Sequence, residues 1–399
     1  MTTETTAQPL DRRIRLLLAI ARRIRRGSLV IHTPDGGEHV FDGPEPGSRA
    51  TVRVIRPAAV RRLLFGGDVG FAEAYMAGEI ESPDIGAVVS LAIENEQAFD
   101  DALLGGRMLR LGRRIWHALR GNSRRGSRRN IAHHYDLGNA FYSRWLDDGM
   151  TYSSAVFGAP DQDLKSAQRN KYQRICELLA LEPGHRVLEI GCGWGGFAEH
   201  AAREHGVHVT GITLSREQHD YALRRIDRAG LADRVEIRLQ DYRDVTGTFD
   251  RVASIEMFEA VGERYWRAYF DKISQVLARG GRAALQIITI ADERFESYRR
   301  NPDFIQRYIF PGGMLPSPGA LRRVVEETGL TWSGEAGFAS DYARTLSLWR
   351  DRFLDAWPEL TGLGFDERFR RMWTYYLSYC ESGFQSGLID VKQIEIKRG

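Results

Sequence analysis

The clearest chemical pattern in the sequence lies between positions 187 and 197, where an apolar run leads into a glycine-rich turn, VLEIGCGWGGF. Gly191, Gly193 and Gly196 fit the spacing G-x-G-x-x-G, which is typical of a strand that turns into a helix against a bound ligand. No Gly-Lys-Ser/Thr follows, so the turn is not a P-loop. The spacing alone leaves open a dinucleotide, another small ligand, or a tight turn that binds nothing.

The charges around this turn indicate which ligand it holds. A dinucleotide site places an acid about 20 residues after the glycines, at the tip of the second strand. Here that tip reads TGITLSREQ, and its first carboxylate is Glu217, already in the following helix. Glu189 instead lies just before Gly191, where a carboxylate repels a pyrophosphate but suits an ammonium and a sulfonium. We therefore predict that the turn binds S-adenosylmethionine.

Polar residues at the ends of the next two strands extend this predicted site. Thr213, Leu214 and Gln218 follow the second strand, where the ribose hydroxyls are expected. Gln240, Asp241 and Tyr242 close the third strand, where a class I methyltransferase usually contacts adenine. Each of these residues alone is more often a strand-end cap than a ligand, but together they favour a cofactor site.

The elements that must position these residues follow an alternating order. From about residue 130 onward, five strand-like segments alternate with helix-length pieces, namely RVLEIG, VHVTGIT, RVEIRL, FDRVASI and RAALQIITI. This order predicts the α/β class, with a mostly parallel, doubly wound sheet covered by helices on both faces. We expect three parts, a small α+β domain over 1–105, a basic linker over 106–129, and the α/β domain over 130–399.

The small domain begins with a predicted hairpin, SLVIHTPDGGEHVFDG, that turns at Asp35-Gly36-Gly37. AVRRLLF and IGAVVSLAIENEQAF are predicted helices. The apolar runs are too short to span a bilayer, and arginines interrupt the N-terminus where a signal peptide would be apolar. The three cysteines are too scattered for a disulfide framework or a zinc site. We therefore predict a reduced, cytoplasmic protein without a metal.

Two stretches concentrate the positive charge of a chain whose net charge is only +3. Residues 107–129 contain nine arginines and no acid, and residues 10–26 mix arginines with Ile and Leu at helical spacing. A basic amphipathic helix of this kind binds anionic membranes, and the same charges also suit nucleic-acid phosphates. The third alternative is a solvated linker beside an ordinary helix packed on its own domain.

Longer motifs resemble the cyclopropane-fatty-acyl-phospholipid synthases from about residue 60 to the end. The motifs are NIAHHYDLGNAFYSRWLDDGMTYSSAVF, TLSREQ, SIEMFEAVG, FIQRYIFPGGMLPS and RMWTYYLSYCESGFQ. The resemblance implies a class I methyltransferase (Rossmann-like) fold with an N-terminal lipid-engaging domain. It also implies methyl transfer from S-adenosylmethionine to a cis double bond of a phospholipid acyl chain, which forms a cyclopropane. By matching positions, Tyr152 and Ser153 also contact the cofactor.

The resemblance further implies a bound bicarbonate that removes a proton after methyl transfer. Around it, Glu259, Ile288 and Tyr342 keep the residue types of the family. Ser154 stands where many members have cysteine, and Gln286 where many have histidine. Glutamine donates a hydrogen bond but cannot become cationic, so the affinity for an anion is lowered. The resemblance therefore supports ring closure less strongly than it supports methyl transfer. The alternative product is a methyl-branched or methylene acyl chain.

Cys380, in YYLSYC, matches a cysteine that a family motif marks as a possible active-site residue. Methyl transfer to an alkene needs no thiolate, and the aromatic neighbours of this cysteine favour a packed helix. His133 and His134 are expected in a segment that closes over the cofactor rather than as metal ligands.

Two other classes of function compete with a lipid methyltransferase, namely an RNA methyltransferase and a lipid-binding protein without catalysis. The sequence contains no aromatic-interleaved RNA module, and Glu259, Tyr342 and the glycine turn are intact. The expected partners are therefore unsaturated phospholipid acyl chains and the anionic inner face of the membrane, where the protein associates peripherally. No nucleic-acid partner is expected, and a homodimer is a possible assembly.

Overall fold

The computed structural model describes residues 10–100 and 137–399 of the chain. The linker predicted over 106–129, with its arginines, and the residues His133 and His134 lie outside these ranges. The chain divides into two units, one made of Met1–Arg113 and Phe365–Ser382, the other of Arg114–Gly364 and Gly383–Gly399. No helix in the described ranges combines the length and the apolar character that crossing a bilayer requires.

The N-terminal unit contains a four-stranded sheet in the order β2-β1-β3-β4. Its strands are β1 (Arg26–His32), β2 (Glu38–Asp42), β3 (Glu45–Val54) and β4 (Ile80–Glu81). The predicted hairpin is present, because β1 pairs antiparallel with β2, and Gly36 in the turn has a φ of +89°. The helices are α1 (Arg12–Ala21), α2 (Ala58–Met76), α3 (Ile85–Glu94) and α4 (Glu96–Asp100).

Helix α1 forms the greater part of the first basic stretch, residues 10–26. Its apolar residues Ile14, Leu18 and Ala21 pack with residues of the sheet and of α2 in one buried cluster. The arginines of α1 remain exposed on the other face. The apolar face is therefore used inside the unit, which favours the interpretation of an ordinary packed helix with a basic outer surface over an inserted amphipathic helix.

The second unit contains a seven-stranded sheet in the order β10-β11-β9-β8-β5-β6-β7. Its strands are β5 (Arg186–Ile190), β6 (His208–Thr213), β7 (Val235–Leu239), β8 (Phe249–Ile255), β9 (Leu277–Ile290), β10 (Leu330–Gly337) and β11 (Ile389–Arg398). The five strands predicted from the sequence pair in parallel, as expected. The sequence analysis missed β10 and β11, which add an antiparallel edge.

Helices cover both faces of this sheet. Successive residues of a strand point to opposite faces, so Val187 joins a cluster with Ile175 and Phe197, while Leu188 joins another with Phe258 and Phe270. The helices are α5 (Asn139–Tyr142), α6 (Leu164–Leu178), α7 (Gly196–His205), α8 (Arg216–Arg228), α9 (Trp266–Val276), α10 (Asp292–Tyr298), α11 (Pro318–Glu327), α12 (Ala339–Asp355) and α13 (Trp357–Gly362). The doubly wound α/β prediction is confirmed.

The last helix, α14 (Glu367–Gln385), departs from the domain boundaries expected from the sequence. Those boundaries place it wholly in the α/β domain, but its residues up to Ser382 group with the N-terminal unit. The ring of Tyr375 lies 6.2 Å from that of Phe71, and the hydroxyl groups of Ser90 and Ser382 are 3.0 Å apart. Contacts across nearly 300 positions are set by tertiary packing, so a local pattern does not reveal them.

Candidate active site

The glycine turn joins β5 to α7 and is held in a conformation that requires glycine. Gly191, Gly193 and Gly195 have φ values of +86°, +52° and +82°, in the left-handed region that other residues avoid. A Cβ atom on Gly191 would lie 2.7 Å from Cγ of Met257. The backbone of the turn therefore lies open to the cavity in front of it, and a side chain at Gly191 would fill the approach.

Glu189 lies at the rim of this cavity and is 3% exposed. Its Oε2 atom has no hydrogen-bond partner among the described residues. Burial raises the pKa of Glu189 to about 8, and the positive charges of Lys171 and Arg225 only partly oppose this rise. A ligand ammonium would satisfy the buried oxygen and stabilise the charged carboxylate. The site therefore fits the amino group of S-adenosylmethionine.

All predicted cofactor residues but one line this single cavity. The lining includes Tyr152, Ser153, Glu189, Gly191, Gly193, Thr213, Leu214, Gln218 and Tyr242. The carboxylate of Asp241 instead accepts hydrogen bonds from the guanidinium of Arg243, at 2.8 and 2.6 Å. Gln240 lines the cavity and Asp241 is not among the lining residues, and the expected adenine contact stays a prediction.

Three of the groups expected around bicarbonate converge instead on the carboxylate of Glu256, a residue that the sequence analysis missed. The backbone N–H of Ser154 donates to Oε1 at 2.8 Å, and Nε2 of Gln286 donates to the same oxygen at 2.7 Å. The hydroxyl of Tyr342 donates to Oε2 at 2.6 Å. These donors are already satisfied by a side chain, so the residues present do not fit a bicarbonate at the same position.

The other two expected residues form a separate pair. The backbone N–H of Ile288 donates to Oε1 of Glu259 at 2.6 Å, and Oε2 of Glu259 is buried without a partner among the described residues. Burial and, to a lesser extent, the nearby negative charge of Glu256 raise the pKa of Glu259 to about 8. Of two neighbouring buried carboxyls, the one with more donors keeps the negative charge more readily. Glu256, with three donors against one for Glu259, is therefore the member of the pair that holds a negative charge more readily.

A second network orients the donors of Glu256. Nε2 of Gln393 donates to Oε1 of Gln286 at 3.0 Å, which turns the amide so that Nε2 of Gln286 faces Glu256. Lys171 is fully buried and donates to Oγ of Ser153 at 2.6 Å. Burial lowers the pKa of Lys171 to about 7, against the opposing charges of Glu256, Asp147 and Glu189. Lys171 and Gln393 gave no signal in the sequence, because neither belongs to a local motif.

Of the three cysteines, Cys192 lines the cavity, whereas Cys176 and Cys380 do not. Cys380 is half-buried in α14, within the portion that belongs to the N-terminal unit, and is not among the residues that line the cavity. In the described ranges, Cys176, His200 and His205 bring three potential ligand atoms within 4.8 Å of one another. Burial raises the pKa of Cys176 to about 12, which disfavours the thiolate that a metal binds. The expectation of no metal stays a prediction.

The family model for mycolic acid cyclopropane synthetase matches residues 122–394 of the chain. This range contains the glycine turn, Glu189, Glu256 and Tyr342. The protein belongs to the mycolic acid cyclopropane synthetase family. As expected for this family, the chain is an S-adenosylmethionine-dependent methyltransferase with a class I fold, and the resemblance identified from the sequence motifs is confirmed.

Two relatives within this broader group match over most of their length. The tuberculostearic acid methyltransferase UfaA1 of Mycobacterium tuberculosis is 42% identical over 360 residues, which cover 85% of this chain and 81% of the relative. The cyclopropane-fatty-acyl-phospholipid synthase of Escherichia coli is 39% identical over 363 residues, which cover 88% of each chain. Relatives with two different product names therefore match this chain almost equally well.

Solved structures of the mycolic acid cyclopropane synthetase family resemble the second unit. The cyclopropane synthase MmaA2 from Mycobacterium tuberculosis has a TM-score of 0.64 and 29% identity, and the match covers 67% of this chain and 97% of that chain. The mycolic acid cyclopropane synthase CmaA1, complexed with SAH and CTAB, has a TM-score of 0.64 and 30% identity, with 68% and 98% covered. Both cover about two thirds of the chain.

Proposed function

We propose that this protein transfers the methyl group of S-adenosylmethionine to a carbon of a cis double bond in a phospholipid acyl chain. The observation that carries the proposal is one cavity lined both by the glycine turn with Glu189 and by Glu256. The glycine turn with Glu189 suits a cofactor that carries an amino-acid group. Glu256 suits the removal of a proton from a substrate next to that cofactor. The name of the Escherichia coli relative supports the phospholipid as the substrate class.

The chemistry explains why the site needs both parts. When bound, S-adenosylmethionine supplies an electrophilic methyl group on a sulfonium. An alkene is a poor nucleophile, so this chain must hold the two reactants in line. It must also exclude water, because water competes with the alkene for the electrophilic methyl group. Transfer leaves a positive charge on the acyl chain, and a nearby base must then accept a proton. The apolar and aromatic lining serves the first requirement, and a buried carboxylate serves the second.

The product depends on which proton is removed. Loss of a proton from the new methyl group, with bonding to the cationic carbon, closes a cyclopropane, which is the product that the family resemblance implies. Loss of a proton from the neighbouring chain carbon leaves a methyl-branched olefin, and a 1,2-hydride shift to the cationic carbon followed by loss of a proton from the new methyl group leaves a methylene acyl chain. We place this second class of product first, because Glu256 occupies the donors Ser154, Gln286 and Tyr342 that the ring-forming family uses for bicarbonate. The 42% identity to a tuberculostearic acid methyltransferase supports the same order.

The N-terminal unit is proposed to bring the enzyme to its lipid substrate at the cytoplasmic face of the membrane. Its exposed arginines on α1 offer positive charge without a free apolar face, so attraction to anionic head groups is the mode that fits. The association is peripheral, and a homodimer is compatible with it. Attraction of this kind weakens with salt, since exposed charges are screened beyond about 8 Å at physiological ionic strength.

A turnover assay with vesicles tests the proposal. We expect release of S-adenosylhomocysteine with vesicles of cis-unsaturated phospholipid and none with vesicles of saturated phospholipid of the same head group. Anionic vesicles should be better substrates than neutral ones, and the difference should shrink as salt is added. Added RNA should neither accept methyl groups nor compete at physiological salt. Equal turnover on saturated vesicles would contradict methylation of a double bond.

A further inference from the structure

The surroundings of the Glu256 carboxylate are typical of a functional group rather than of a purely structural one. It accepts hydrogen bonds from the backbone N–H of Ser154, the amide of Gln286 and the hydroxyl of Tyr342. Ser154 and Gln286 are fully buried, and Tyr342 is 7% exposed. Three donors from separate segments of the chain therefore aim at one carboxylate, which fixes its position and favours its charged form.

The backbone of Glu256 is held as firmly as its side chain. Its φ is +50°, in the left-handed region, at the residue that follows β8. Its N–H donates to the carbonyl oxygen of Gln286 at 2.8 Å, so the same residue binds both the main chain and the side chain of Glu256. A non-glycine residue stays in this conformation only where its surroundings impose it, and such residues concentrate at active sites.

Glu256 also lies where a base for the proposed reaction must lie. It lines the cofactor cavity together with its neighbours Ile255 and Met257, and Met257 faces Gly191 across the glycine turn. The other carboxylate of the lining, Glu189, is placed for the cofactor ammonium. Glu259 does not line the cavity in the described structure, and one of its oxygens is bound by Ile288.

Burial makes this carboxylate more basic, and its hydrogen-bond donors oppose part of that effect. Desolvation raises the pKa of Glu256, while the hydrogen bonds from Tyr342, Gln286 and Ser154 and the positive charge of Lys171 oppose the rise. A carboxylate with a raised pKa is a stronger base than one in water, and the three donors favour its charged form over its neutral one. Tyr342 is positioned to stabilise the charge before the proton arrives.

We propose that Glu256 is the general base of this enzyme and replaces the free bicarbonate that the family resemblance implies. The proposal rests on the proposed methyl transfer. The two electrons of the alkene π bond form the new bond to the methyl carbon, and the sulfur–methyl bond breaks with its electrons left on sulfur. The carbocation on the acyl chain then loses a proton to Glu256, and the electrons of that C–H bond form the new C–C or C=C bond. Glu256 becomes a neutral acid and releases its proton before the next cycle.

Two variants and two buffers test the assignment. Glu256→Gln keeps the shape but cannot accept a proton, so we expect turnover on cis-unsaturated vesicles to fall by about 10²–10⁴, the usual contribution of a general base. Affinity for S-adenosylmethionine, measured by calorimetry, should change by no more than a few-fold. Glu326→Gln is the matched control, since Glu326 is exposed on α11 and should keep full turnover.

Glu256→Gly provides a rescue experiment. Glycine accepts the positive φ without strain and leaves the donors of Ser154, Gln286 and Tyr342 facing an opened space. We expect this variant to be inactive in buffer freed of carbon dioxide and to regain turnover when bicarbonate or formate is added. The natural enzyme should be equally active with and without bicarbonate, because its base is part of the chain.

The outcomes separate the base assignment from the proposed function. Bicarbonate-independent turnover by the natural enzyme, its loss in Glu256→Gln and its rescue by a small anion in Glu256→Gly would support the proposal. A natural enzyme that requires bicarbonate, or a Glu256→Gln variant within a few-fold of it, would overturn the assignment of Glu256 and leave methyl transfer standing. A folded natural enzyme that binds S-adenosylmethionine but does not methylate cis-unsaturated lipid would overturn both.

Discussion

The Gly191→Val variant is expected to lose affinity for S-adenosylmethionine by at least about a hundredfold. Valine must adopt a φ of +86°, which costs about 1–2 kcal/mol, and its Cβ meets Cγ of Met257 at 2.7 Å. Relief of that overlap costs about 1–3 kcal/mol more or pushes Met257 into the cavity. Relaxation of this strain and overlap moves the turn and Met257 into the space of the cofactor, and a loss of about 2.8 kcal/mol in binding free energy corresponds to a hundredfold lower affinity.

Calorimetric titration measures this loss, and Gly280→Val provides the control. Gly280 also has a positive φ, of +72°, but a Cβ there meets no atom within 4 Å and the residue is exposed. The control therefore carries the backbone strain without the overlap, and it should bind the cofactor normally. Thermal unfolding of both variants shows whether the protein remains folded. Normal affinity in folded Gly191→Val would contradict the placement of the cofactor at the glycine turn.

The Glu189→Gln variant is expected to weaken binding of S-adenosylmethionine by at least about thirtyfold. Removal of one partner from a buried, hydrogen-bonded charge pair costs about 2–5 kcal/mol, because the other charge is left without compensation. Glutamine is nearly isosteric and keeps the packing of a residue that is 3% exposed. The change therefore tests charge rather than shape, and an unchanged affinity would show that Glu189 does not face the cofactor ammonium.

The pH dependence of binding identifies the same carboxylate independently. Burial raises the pKa of Glu189 to about 8, so at neutral pH the free protein carries a proton there that an ammonium must displace. Affinity should therefore fall as the pH drops below 8, and binding at pH 7 should release a proton. It should also fall at higher pH, as the ligand amino group, with a pKa of about 8, loses its charge. Glu189→Gln should abolish the acid limb alone.

The glycine turn and Glu189 could be predicted because their roles depend on local chain geometry. A strand that enters a helix through closely spaced glycines looks the same in the sequence as in the structure, and a residue just before the turn must lie at its rim. Thr213 and Gln218 were placed by the same logic, since the ends of parallel strands meet at one edge of the sheet. Asp241 does not line the cavity in the structure, and its carboxylate is paired with Arg243.

Glu256 could not be assigned from the sequence, although it lies within the motif SIEMFEAVG. Its role depends on Ser154, Gln286 and Tyr342, which come from segments separated by tens to more than a hundred positions and meet only through the fold. Its positive φ also has no sequence signal in a residue other than glycine. Two carboxyls three positions apart at the end of a strand were the one available hint.

The apolar periodicity of α1 predicts its secondary structure but not the partner of its apolar face. The spacing of Ile14, Leu18 and Ala21 correctly predicts a helix with an apolar face. It does not say what covers that face, and in the structure the cover is the core of the N-terminal unit rather than a lipid surface. The partner of an amphipathic helix is a tertiary property, and the exposed arginines are the charged groups that α1 offers to a membrane.

The most direct test of the account follows the methyl group itself. The enzyme is incubated with S-adenosylmethionine that carries a ¹³C-labelled methyl group and with vesicles of a cis-unsaturated phospholipid, and the extracted lipid is examined by NMR. We predict label bonded to an acyl-chain carbon, as a methyl-branch or methylene signal, with an upfield cyclopropane resonance if the ring closes instead. Label in the head group, or unlabelled lipid from a folded enzyme that binds the cofactor, would contradict methylation of the double bond.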